Sequence, residues 1–263
     1  MLVSFMLNGT SVTLTDPSPT TTLLDWLREE RGLVGTKEGC NEGDCGACTV
    51  MVTDTDKARP LNACILFLPQ LSGKHVTTVE GLAAPDGTLH PVQESMITHH
   101  GSQCGFCTPG FVMSMATAHM NGETDHDTSL AGNLCRCTGY APIIRAARAV
   151  EGVDIPPHLP RPMPSKANET SSQPQPDTTA FLQPKSSAPL AASYLAHPDP
   201  TLVSRATHVG LLVTQPFRTP GQVLFLSHCE DLRATPTPRE GSNIGPTATN
   251  AHMTSPLAPT SPP

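Results

Sequence analysis

Eight of the nine cysteines in this 263-residue chain fall into two groups of four. The first group is Cys40, Cys45, Cys48 and Cys64. The second is Cys104, Cys107, Cys135 and Cys137, and only Cys229 stands apart. Sulfur grouped in this way restricts the fold, because the backbone must gather each quartet into disulfides or around a metal group. Disulfides need an oxidising compartment. Met1 to Leu7 is apolar, but it lacks the basic start of an export leader and breaks at Asn8-Gly9. The expectation is a cytoplasmic chain with free thiolates. No run reaches the roughly 18 apolar residues of a membrane span. A net charge of −7 argues against a nucleic-acid partner, which would call for a basic stripe.

The order of elements predicts an α+β chain. Residues 2–7 and 10–15 flank Asn8-Gly9, a strong hairpin signal. A helix is predicted from Thr21 through Arg28, ending near Gly32. The Cys40–Cys48 loop follows, then strands over 49–53, 61–67 and 75–79. Hairpin, helix, sulfur loop and further strands make the order of a β-grasp ferredoxin-like domain over residues 1–86. Residues 87–155 predict a four-helix domain, with helices from His90 to Ile97, Pro109 to Met120, 127–134, and Ala141 to Val150. So small a bundle is marginal alone, and a group tying Cys104 and Cys107 to Cys135 and Cys137 would pin its halves. Residues 156–180 hold seven prolines and predict an extended linker. Between 181 and 233 some pattern returns, with a helix over 190–195 and strands over 201–203 and 209–213. Residues 234–263 are proline- and threonine-rich and predict disorder.

Cys40-x4-Cys45-x2-Cys48 with a distant fourth cysteine is the spacing of a plant-type [2Fe–2S] loop. Gly39, Gly43 and Gly46 let the backbone turn sharply and aim N–H groups at sulfur. Structural zinc favours pairs two to four residues apart, so iron–sulfur leads here. Glu38, Glu42 and Asp44 read as solvated loop charges. In the second quartet, Cys104-x2-Cys107 and Cys135-x1-Cys137 are two short hooks, each at a helix start where N–H dipoles favour thiolate. Zinc competes seriously there, and on spacing a zinc-stabilised interaction module stays open. A second one-electron carrier beside the first has a use that a zinc knuckle lacks.

The loop from Glu38 to Thr49 resembles the first-cluster loop of the molybdenum hydroxylases. Gln103-Cys104-Gly105-Phe106-Cys107-Thr108-Pro109-Gly110 and Gly132-Asn133-Leu134-Cys135-Arg136-Cys137-Thr138-Gly139-Tyr140 resemble that family's second-cluster signatures. The likeness covers residues 1 to about 153. It implies two [2Fe–2S] clusters held by the eight cysteines and no catalytic residue on this chain. It also implies a molybdopterin cofactor on a large partner subunit in a heteromeric assembly. Gln103 is implied to contact the pterin. Ala141 stands where many members have arginine.

Past the linker, Pro189 to Leu232 resembles the start of the family's FAD domain, as in the iron–sulfur/FAD subunit of bacterial xanthine dehydrogenases. That implies electron transfer toward FAD and NAD in purine catabolism; an aldehyde or carbon monoxide oxidoreductase subunit is the alternative. The glycine-rich flavin turn is replaced by Ser204-Arg205-Ala206-Thr207-His208, leaving Arg205, Ala206 and Thr207 as its remnant. Gln215 stands where bacterial members often have lysine. The expectation is a partial FAD-binding domain over 181–233 that does not hold FAD stably, its sequence leaving the family pattern by truncation, frameshift or loss. Cys229 reads as a buried or idle thiol.

Overall fold

In the computed structural model, residues 2–55, 57–161, 181–197, 199–215, 217–218 and 220–232 are described. The predicted linker beyond residue 161 and the predicted disordered tail lie outside them.

Asn8 and Gly9 take φ of 48° and 80°, the left-handed pair that a two-residue hairpin needs. They join β1 (Leu2–Leu7) to β2 (Thr10–Thr15) in antiparallel register. Along β1, Val3, Phe5 and Leu7 face the core while Leu2 and Ser4 are exposed. Thr22 caps the next helix, its hydroxyl oxygen accepting the Asp25 N–H at 3.1 Å. Only Leu23–Asp25 (α1) is α-helical; the chain continues as a π-helical turn, Trp26–Glu30. The helix predicted to Arg28 is therefore short and widened. Trp26 packs edge-on against Phe5 at 5.6 Å.

Three more strands, β3 (Thr49–Thr53), β4 (Ala58–Asn62) and β5 (His75–Thr77), complete a five-stranded sheet in the order β2-β1-β5-β3-β4. β1 and β5 pair in parallel and the other neighbours antiparallel. The strand predicted over 61–67 is a correction. Pairing ends at Asn62, and Ala63–Ile65 forms a 3-10 turn. A straight strand would leave the fourth cysteine on the sheet face, whereas the turn brings Cys64 Sγ to 3.4 Å from Cys48 Sγ.

Every residue of β3 is buried because both faces are covered. Val50 and Val52 join the core under the sheet; Met51 joins a second core built by helices. Those helices are α2 (Pro91–Thr98), α3 (Thr108–Asn121), α4 (His126–Ser129) and α5 (Ala141–Arg148). His90 caps α2, its Nδ1 accepting the Val92 N–H at 3.1 Å. Gly122, at φ 67°, ends α3 in the left-handed region. The helix predicted over 127–134 shrinks to one turn because the chain must leave it to reach the first sulfur loop. Of the predicted linker, residues 156–161 pack back: Leu159 is buried in the helical core, and His158 Nε2 meets the Leu82 carbonyl at 3.1 Å.

Residues 181–232 form a three-stranded parallel sheet in the order β6-β8-β7, from β6 (Phe181–Leu182), β7 (Thr201–Val203) and β8 (Val223–Phe225). Helices α6 (Ser187–Ala196) and α7 (Val209–Thr214) accompany it. The strand predicted over 209–213 is a second correction. A short apolar run has no period that separates helix from strand. Here Gly210 lies against Ile65, and its N–H bonds to the Ala206 carbonyl at 2.5 Å, which starts a helical turn. Phe181, Val203, Ala206, Val223 and Phe225 share one core with the five-stranded sheet. No helix among the described residues is long and apolar enough to cross a membrane.

Candidate functional site

All nine cysteines are free thiols. In the first quartet, the N–H groups of Glu42, Asp44 and Cys45 point at Cys40 Sγ from 3.5, 3.4 and 3.3 Å, and the Cys40 N–H points at Cys45 Sγ from 3.4 Å. Gly43 and Gly46 supply positive φ for this winding. Gly39 acts differently: a Cβ there would sit 2.8 Å from Cys45 Sγ, so its bare backbone makes room for sulfur. Asn62 Nδ2 donates to the Gly43 carbonyl at 2.6 Å and ties the loop to the end of β4.

The four sulfurs lie as two pairs, Cys40 with Cys45 and Cys48 with Cys64. Burial works against ionisation of Cys40, but the N–H groups of Cys45, Glu42 and Asp44 outweigh it and lower its pKa. Cys48, hydrogen-bonded to Cys64, is lowered as well; Cys64 is raised, first by that same bond and then by burial. One proton shared within the Cys48–Cys64 pair accounts for the opposite directions.

The second quartet repeats the arrangement. Cys104 pairs with Cys137 and Cys107 with Cys135. Thr138 offers both its hydroxyl, at 3.1 Å, and its N–H, at 3.4 Å, to Cys135 Sγ. Burial, then Cys135, push Cys107 up to about 12. Cys107 is also the N-cap of α3, and Cys135 and Cys137 lie just before α5. Cys104 and Cys137 are exposed, unlike the buried Cys48 and Cys64. Around that opening Phe106, Leu134 and Tyr140 are exposed apolar side chains, and Gln103 is exposed beside them.

The two sulfur loops touch. The Leu134 N–H donates to the Cys45 carbonyl at 2.9 Å, joining the residue next to Cys135 to a cysteine of the first quartet. Buried Asn133 donates to the Gly46 carbonyl at 3.0 Å and Thr49 Oγ1 at 3.2 Å while accepting from Ser114 Oγ at 2.6 Å. Gly110 of α3 packs directly on the Gly46 carbonyl. Asn133, Ser114 and Gly110 were not singled out from the sequence as joining residues. Pairing Asn133 with Gly46 across 87 positions requires the fold.

Among the described residues no three His, Cys, Asp or Glu side chains gather closely enough to hold a single metal ion. A quartet built as two cysteine pairs suits a two-iron group, and the inward N–H groups suit its negative charge. The donor set therefore fits a [2Fe–2S] cluster at each quartet.

The turn Ser204-Arg205-Ala206-Thr207-His208, which the sequence likens to a flavin turn, contains no glycine. Ala206 takes φ 61°, a conformation that glycine adopts without steric cost. Arg205 and Thr207 line a cavity of about 240 Å³, below the roughly 300–1,000 Å³ of small-molecule sites. Cys229 is fully buried, and its thiol donates to the Pro184 carbonyl at 3.0 Å.

Two thiolate quartets set in touching domains define a double iron–sulfur protein. Residues 5–68 match the family described as "2Fe-2S iron-sulfur cluster binding domain" and residues 78–148 the family "[2Fe-2S] binding domain". The chain is 49% identical over 150 residues to xanthine dehydrogenase of Drosophila subobscura, covering 53% of this chain and 11% of that one. To aldehyde oxidase 1 of Bos taurus it is 49% identical over 154 residues, covering 55% of this chain and 12% of that one. It thus spans about a tenth of the length of these curated relatives. A solved chain of quinoline 2-oxidoreductase from Pseudomonas putida 86 superposes with a TM-score of 0.51 at 38% identity, covering 57% of this chain and 93% of that one. The protein belongs to that chain's family, and in its own sequence one [2Fe–2S] domain follows another.

Proposed function

We propose that this chain is the electron-transfer part of a molybdenum hydroxylase of the xanthine dehydrogenase type. In this reading Cys40, Cys45, Cys48 and Cys64 hold one [2Fe–2S] cluster, and Cys104, Cys107, Cys135 and Cys137 hold a second. Such a cluster supplies storage of one electron at a time when bound. The observation that carries the reading is the Leu134 N–H to Cys45 carbonyl bond, which sets the two ligand loops in direct contact. Isolated zinc knuckles have no need of such contact; two carriers in series do.

The chain's own residues wrap sulfur, turn N–H dipoles toward it and exclude water from Cys48 and Cys64. The exposed rim of Gln103, Phe106, Leu134 and Tyr140 is the face offered to a molybdopterin-bearing partner, with Gln103 as the pterin contact. Substrate chemistry belongs to that partner. Equal identity to a xanthine dehydrogenase and an aldehyde oxidase makes a subunit of the aldehyde-oxidising type the second reading.

Iron and acid-labile sulfide in anaerobically purified protein test the ligands. Equimolar iron and sulfide, with two distinct low-temperature paramagnetic signals on reduction, is the expected result, and Cys40→Ser should halve the iron and remove one signal. Zinc without sulfide would refute the assignment. Assay of the assembled complex with xanthine and with an aldehyde then decides between the two substrate classes.

A further inference from the structure

The peptide joining Asn41 to Glu42 is held from both sides. Its N–H points at Cys40 Sγ from 3.5 Å. A trans peptide directs its C=O the opposite way, so the Asn41 carbonyl faces outward. There Gln215 Nε2 donates to it at 3.2 Å and also reaches the Cys40 carbonyl at 3.4 Å. Asn41 sits at φ 55°, a left-handed conformation that asparagine tolerates but that carries some strain.

Gln215 lies 174 residues away in sequence, at the C-terminal end of α7, and that helix is seated on the sulfur site by a second contact. Gly210 of α7 lies so close to Ile65 that a Cβ at 210 would come within 2.8 Å of the Ile65 Cβ. Ile65 follows Cys64 and on its other side fills the space above Gly43. The stack Gly210–Ile65–Gly43 fixes the height of α7 over the loop, and Gln215 then meets the loop carbonyls.

We infer that Gln215 is a positioning residue for the first sulfur site: it locks the Asn41–Glu42 peptide plane so that its N–H stays on Cys40 Sγ. The segment 181–232 thereby tunes the first electron carrier. This rests on the proposed cluster at Cys40, Cys45, Cys48 and Cys64. N–H dipoles aimed at cluster sulfur favour the reduced, more negative state, so removing the lock lowers the reduction potential.

The test is a redox titration of the full chain with reconstituted clusters, followed by low-temperature electron paramagnetic resonance. Gln215→Leu is compared with Gln215→Lys, which keeps an N–H donor, and Cys40→Ser identifies the first-site signal. At the wild-type midpoint, Gln215→Leu should cut the reduced-to-oxidised ratio of the first site about two- to tenfold, the range of one hydrogen bond. The second-site midpoint should not move, and Gln215→Lys should restore the first to the wild-type value or above. In the cluster-free chain, amide hydrogen exchange at Glu42 should quicken in Gln215→Leu. An unmoved first midpoint together with unmoved exchange overturns the inference. Absence of any first-site signal in the wild-type protein instead overturns the cluster assignment beneath it.

Discussion

His90 shows how a single buried side chain makes stability depend on pH. It is 1% exposed; its Nδ1 caps α2, and its Nε2 has no partner among the described atoms. Burial, with His119 and His158 adding to it, lowers its pKa to about 4. The unfolded chain binds the proton near the ordinary value of about 6.5. Between those values the unfolded state carries more protons, so stability falls as pH falls and is intact above about pH 6.5. The full drop approaches about 3 kcal/mol. Urea unfolding from about pH 7 down to about pH 4 should show it. His90→Asn keeps an N-cap acceptor without a titrating ring and should flatten the curve over that window.

At the scale of elements, α3 is placed by what it lacks. Gly110 stands where a Cβ would strike the Gly46 carbonyl oxygen and come within 3.2 Å of Ala47 Cα, all of it backbone. Glycine here serves the close approach of helix to sulfur loop, not a special φ. Gly110→Ala should cost about 1–3 kcal/mol, read as a lower denaturation midpoint. It should also disturb the first site's paramagnetic line shape, because Gly46 follows Cys45 directly. An exposed glycine such as Gly87, whose Cβ would meet nothing within 4 Å, would move no such signal on substitution.

For the whole molecule, Asn133 is the joint between the ferredoxin-like sheet and the helices. It is 3% exposed and bonded to Ser114, Gly46 and Thr49 at once. Asn133→Ala strands the Ser114 hydroxyl and should cost on the order of 2–4 kcal/mol. Because the bonds it breaks span the two cores, calorimetry should show one wild-type transition broadening or splitting into two. A single sharp transition at the wild-type temperature would show that the cores are coupled through other contacts.

Much of this was legible from residue order alone. Asn8-Gly9 declared a hairpin because few residues accept its turn, and the spacing Cys40, Cys45, Cys48 with three glycines declared a sulfur-wrapping loop. Both signals are local: each reports a backbone constraint met within a dozen residues. The helix over 209–214 and the turn at 63–65 were not legible, since an apolar run and a strand end take their form from what packs on them. Nor could spacing say that Leu134 would bond Cys45, or that Gln215 would reach Asn41. How the cysteines group is a matter of local spacing and so could be read from the sequence. Which loop lies against which depends on how two hydrophobic cores share β3, and only the folded chain decides that.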